Sequence, residues 1–117
     1  MEKIRQVIAL VALMMCTALI SAQSDPQADA EAAYLRGSYE DAIAIYEGMI
    51  AEGQQGPSLY FNLATAHFAA GNVGPALLNY RRAALYLPRD AEINAQLMRL
   101  RFRRVDLLGD EQDPLNS

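Results

Sequence analysis

Residues 71–88 read "GNVGPALLNYRRAALYLP", and residues 37–50 read "GSYEDAIAIYEGMI". Aligned on Gly37 and Gly71, the two stretches match at Ala42 and Ala76 and at Tyr46 and Tyr80. Met49 falls opposite Ala83, and every offset is 34 residues without a gap. A fixed period of this length is the mark of stacked helical hairpins. Small residues are needed where two helix backbones approach, and a large one fills the space between units. Ala76 and Ala83 suit the first role and Tyr80 the second.

Working outward from Gly71, the second unit is read as residues 57–90. Its first helix is expected over about 58–70, with Tyr60, Leu63, Ala64 and Phe68 mainly on one face. Gly71 terminates it, as glycine does where a helix end wants positive φ. Asn72 is read as the next N-cap, Pro75 lies in the first turn, and Pro88 stops the second helix near Leu87. The first unit, residues 23–56, is less regular. Ser24 and Gln27 stand at capping-box spacing, and Ala30, Ala33, Tyr34 and Leu35 are its expected buried face. After Gly37, Ser38 and Asp41 open a helix with Ala42, Ile45, Tyr46, Met49 and Ile50 on its apolar side. A weak first helix suits a terminal repeat, which has one side open to water.

Beyond Pro88 a capping helix is expected over 91–107, with Asp90 as N-cap and Ile93, Leu97, Leu100 and Val105 as a single apolar stripe. Arg99, Arg101, Arg103 and Arg104 are read as its solvated back. Residues 108–117, "LGDEQDPLNS", lack periodicity and are expected to be a disordered tail.

Residues 1–22 are set apart. Lys3 and Arg5 precede "VIALVALMMCTALI", an uncharged apolar run at 7–20, and "SAQ" follows. This is the layout of a secretory signal peptide cleaved after Ala22. A spanning helix needs roughly 20 apolar residues, so a retained anchor is the lesser reading. Cys16, the only cysteine, lies inside the run. Met14 and Met15 before it are too bulky for a lipid-attachment site. With the segment removed, neither disulfide nor thiol chemistry is available.

From Gln23 onward eight arginines and no lysine oppose thirteen Asp and Glu, a balance of −5. Such a chain lacks the electrostatic footprint of non-specific nucleic-acid binding. The single histidine, His67, has no carboxylate beside it on its own helix and is read as a helix-surface or interface residue. No acid/base carboxylate couple and no metal-ligating set is evident, so the expectation is a protein without enzymatic activity, cofactor or metal. An enzyme accessory subunit or small hydrolase is the remote alternative.

The second unit closely resembles the tetratricopeptide repeat at Tyr60, Leu63, Ala64, Phe68, Gly71, Ala76, Tyr80, Ala83 and Pro88. The first unit shares Gly37, Ala42 and Tyr46. It departs at Pro26, Asp29 and Met49, and resembles a degenerate repeat. The resemblance covers about residues 24–104. It implies an all-α right-handed superhelix of two helix-turn-helix repeats plus a capping helix, acting as a protein–protein interaction scaffold. The stretch "LYFNLATAHFAAGNVGPALLNYRRAALYLPRDAEINAQLMRLRFRRVD" is further similar to the repeat segment of BatE-type aerotolerance-operon envelope proteins. That similarity implies an exported, periplasmic or membrane-associated location. It also implies an alternative, in which the chain is part of a larger anchored protein with membrane and SH3-like parts downstream.

By register with the repeat family, the groove for a protein or peptide partner is lined by Ser58, Phe61, Asn62, Thr65 and Ala69. Glu92, Ala95 and Gln96 continue it from the capping helix. Phe61 is read either as an exposed aromatic anchor or as packing against the neighbouring first helix. Thr65, Glu92 and Gln96 replace the basic or Asn residues that relatives use for carboxylate-terminated tails. Tyr34, Tyr39 and Tyr86 are read as contact residues, with packing inside their own hairpins the favoured role. Two hairpins and a cap make a marginal stack, since about three repeats are usually needed for a continuous core.

Overall fold

The computed structural model describes residues 1–20 and 24–111, with side chains described for 1–14 and 24–107. Among these residues the chain is all-helical: α1 (Glu2–Ile20), α2 (Pro26–Leu35), α3 (Tyr39–Ala51), α4 (Pro57–Ala69), α5 (Val73–Tyr86) and α6 (Ala91–Glu111). From α2 onward each helix packs on its neighbour in sequence, and the α4–α5 pairing is the most extensive. The expected cleavage point after Ala22 and the tail from residue 112 lie outside the described residues. α6 runs past the expected boundary at Leu107 to Glu111. The side chains of α1 are exposed through Met14. Among the described residues no helix is long and apolar enough to cross a membrane.

The 34-residue period is present in three dimensions. Ala30 and Ala64, Ala42 and Ala76, Ile43 and Leu77, and Tyr46 and Tyr80 are pairwise buried. Gly37 and Gly71 both have positive φ, +79° and +85°, which lets the chain leave α2 and α4 by the same turn. In each, the next residue donates its N–H to the carbonyl five residues back. Ser38 N reaches Ala33 O at 2.9 Å and Asn72 N reaches His67 O at 2.8 Å. The period extends into α6, where Ile93, Leu97 and Leu100 are buried as Leu59, Leu63 and Ala66 are on α4.

The core divides into two clusters that share α4. Leu59, Leu63 and Ala66 join Ala30, Ala33, Ala42, Ile43, Tyr46 and Met49. Ala64, with half-buried Tyr60, Phe61 and Phe68, joins Ala76, Leu77, Tyr80, Ala83, Ile93, Leu97 and Leu100. α4 is therefore apolar on two sides, and full burial of one such Leu side chain contributes about 1.5–3 kcal/mol. The tyrosines pack within their own helix pairs. Tyr34 lies against Tyr39, with ring centroids 5.3 Å apart, and Tyr60 stacks on Tyr86 at 6.1 Å.

Several expectations are corrected. Asp25, not Ser24, caps α2; its Oδ1 accepts the Gln27 N–H at 3.0 Å. Pro26 begins the helix, so the residue before it takes the capping position. The Gln27 side chain instead donates to Glu31 at 2.8 Å. Leu35 is 84% exposed because it lies off the Ala30–Ala33 face at the open end of the stack. Val105, five residues beyond Leu100, also faces water. Asn72 occupies the α5 N-cap position without a capping side-chain bond; its amide turns to His67. Asp90 does cap α6, accepting the Ile93 N–H at 2.9 Å.

Candidate functional site

Three helices at the 34-residue offset line one groove. Gln27 and Glu31 come from α2; Pro57, Ser58, Phe61 and Asn62 come from α4. Glu92 and Ile93 come from α6, with Leu87 and Asp90 from the turn before it. Its volume is about 470 Å³. A second cavity of about 230 Å³ shares Glu31 and Asn62 and adds Tyr34, Leu35, Tyr46 and Thr65. The shared residues make the two cavities neighbours on one surface.

Of the expected groove residues, Ser58, Phe61, Asn62 and Glu92 line the larger cavity and Thr65 the smaller. Ala69 and Gln96 line neither. Phe61 is half-buried rather than a free anchor. Its ring meets Tyr80 of α5 edge-on, with centroids 5.3 Å apart and planes at 70°. The contact is thus with the partner helix of its own hairpin, and its remaining surface faces the groove. Thr65 turns inward. Its hydroxyl donates to the Phe61 carbonyl at 2.9 Å and receives the Tyr80 hydroxyl at 2.9 Å. Burial, and secondarily the charge of Glu31, raises the Tyr46 pKa; Tyr80 is raised mainly by burial.

The groove is acidic. Glu31, Asp90 and Glu92 line the larger cavity, and among the described residues no Lys or Arg does. Asp90 uses one oxygen as a helix cap and Glu31 accepts from Gln27, while Glu92 is exposed on the first turn of α6. Gln27 and Glu31 were not anticipated, although subtracting the period from Phe61 and Thr65 leads to them. Leu87 and Asp90 come from a turn that no periodicity reaches.

His67 stands away from this groove, at the α3–α4 boundary. It is 7% exposed. Its Nε2 lies 3.6 Å from Glu47 Oε1 on α3, and its Nδ1 lies 3.3 Å from Asn72 Nδ2. Both nitrogens are engaged, so the ring joins α3, α4 and the turn to α5. Sequence proximity could not reveal Glu47, which is brought from another helix. Among the described residues no group of three or more His, Cys, Asp or Glu side chains converges on a metal position.

No protein-family profile matches the chain, and no curated protein matches it.

Proposed function

We propose that this chain is an exported protein-binding scaffold of the tetratricopeptide-repeat type, holding a peptide segment of its partner in the groove between α2, α4 and α6. The observation that carries the proposal is the groove itself. Successive first helices, related by 34 residues, contribute Gln27, Phe61 and Asn62 to one surface alongside Ser58 and Glu92. An aromatic side with adjacent amides and hydroxyls suits an extended peptide, because amides satisfy its backbone while the ring takes an apolar side chain. Glu31, Asp90 and Glu92 favour a segment bearing Lys or Arg. The N-terminal signal layout supports an envelope or extracytoplasmic setting.

The test is fluorescence anisotropy with the full chain and two labelled peptides. One carries Lys and Arg flanking a Leu; the other carries Glu and Asp at the same places. The basic peptide is expected to bind at least tenfold more tightly, equivalent to about 1.4 kcal/mol. A Ser58→Arg, Asn62→Arg double variant with unchanged helicity is expected to abolish the preference. Equal binding of both peptides, or a preference untouched by the double variant, would remove the groove from consideration.

A further inference from the structure

Among the described residues α6 has two apolar faces, of which one is covered. Ile93, Leu97 and Leu100 are buried in the core shared with α5. On the opposite side Ala91, Ala95, Met98, Phe102 and Val105 form a second row, with successive spacings of four, three, four and three. Met98 is 62% exposed, Phe102 67% and Val105 65%. This departs from the single stripe with a charged back that a solvating cap requires.

The 34-residue offset shows that the same row is covered elsewhere in the chain. Met98 and Phe102 occupy the registers of Ala64 and Phe68 on α4. There the same face is covered by α5 through Ala76, Tyr80 and Ala83. α4 therefore lies between two helices, whereas among the described residues no helix covers the second face of α6.

We propose that a second copy of this chain covers that face, its α6 lying parallel to the first in a two-fold homodimer. The row's alternating steps of three and four residues suit a helix lying along it, and the charges beside the row point to a like helix. With Phe102 at one seam position and Met98 and Val105 at the other, Arg101 and Asp106 fall on opposite shoulders, five residues apart. Parallel pairing sets Arg101 against Asp106 of the second copy, and the two-fold axis repeats the contact. Antiparallel pairing in the register that keeps the whole row in contact, centred near Leu100, would set Arg99 and Arg101 each against its own copy and Glu92 against Asp106. The charges thus select both the occupant and its direction. The interface lies on α6 away from the acidic groove, so it stands independently of the peptide-binding proposal.

Position-specific cross-linking in the full chain tests this, with Cys16→Ser removing the native thiol. Under a mild oxidant, Val105→Cys is expected to yield a disulfide-linked species of doubled mass. Arg103→Cys, exposed but off the row, is expected to yield at least fivefold less. Any association through the N-terminal segment is common to both variants and cancels. Adding Arg101→Asp to Val105→Cys should reduce the linked fraction severalfold, and further adding Asp106→Arg should restore it, because the swapped pair re-forms only between copies. Both positions are exposed, so folding is not at stake. The proposal is overturned by equal linkage at positions 103 and 105 or by none at 105. It is equally overturned by no recovery in the double swap, or by linkage in cells to a different protein instead.

Discussion

The hydroxyl of Tyr80 on α5 donates to Thr65 on α4 across 2.9 Å, and the Thr65 hydroxyl passes its own hydrogen to the Phe61 carbonyl. A residue with groove spacing is thereby committed to joining two helices. Thr65→Val would leave the buried Tyr80 hydroxyl without its acceptor, at a cost of about 1–3 kcal/mol. Tyr80→Phe removes the donor and should cost about 1 kcal/mol. The double variant should cost less than the two together, because nothing is then left unpaired. Urea unfolding of the four proteins measures this, and strict additivity would exclude the bond as a coupling element.

The two period-related tyrosines also set an alkaline limit. Burial raises the pKa of Tyr46 and of Tyr80 above the ordinary value of 10.0. Below pH 10 both states of the chain hold the proton and no stability depends on it. As pH rises past 10 the unfolded chain ionises first, so it binds fewer protons and stability falls. Thermal melts between pH 9 and 11.5 should show a declining Tm, with a shallower decline in Tyr80→Phe when each protein is compared with its own melt at pH 9. A decline of equal slope in that variant would place the alkaline sensitivity elsewhere.

The helices were legible because glycine and proline punctuate them at a fixed interval. Gly37, Gly71 and Pro57 mark ends and starts by backbone geometry, which sequence states directly. The buried faces were read less completely. Ile43 and Leu77 are both core, yet each sits one step off the expected stripe, since these helices are buried over more than one face. Asn79 is buried too, satisfied by donating to the Pro75 carbonyl at 2.9 Å and accepting from Arg82, a local pairing that apolar periodicity does not register. Of the residues lining the groove, Ser58, Phe61, Asn62 and Glu92 were expected from the resemblance to the repeat family. The inward turn of Thr65 depended on a hydroxyl fifteen residues away, and the acidity depended on α2 and the α5–α6 turn reaching the same surface.

The same distinction governs His67. Glu47 stands 3.6 Å from its ring but is 58% exposed, so water screens most of the attraction. The ring, by contrast, fills a site between helices. Glu47→Ala should therefore cost less than about 1 kcal/mol, whereas His67→Ala should cost about 2 kcal/mol or more through the void and the stranded Asn72 amide. Denaturant titration separates the two, and a Glu47→Ala cost matching that of His67→Ala would make the charge, not the packing, the joint.

Two glycines should respond to the same substitution with opposite signs. Gly48 lies within α3, and a Cβ placed there meets nothing within 4 Å. Gly48→Ala should stabilise by about 0.5–1 kcal/mol, because alanine loses less backbone freedom on entering a helix. Gly71 has equally open space around its Cβ position, but its φ is +85°. Gly71→Ala therefore incurs backbone strain with no steric contribution, about 1–2 kcal/mol. Gly71→Asn should cost less, since asparagine tolerates the left-handed region. The comparison isolates conformation from packing, because neither site offers a neighbour to clash with. Destabilisation by Gly48→Ala would mean that α3 needs glycine there for a reason other than helix propensity, and a Gly71→Asn cost equal to that of Gly71→Ala would mean that the left-handed backbone at Gly71 does not set the cost.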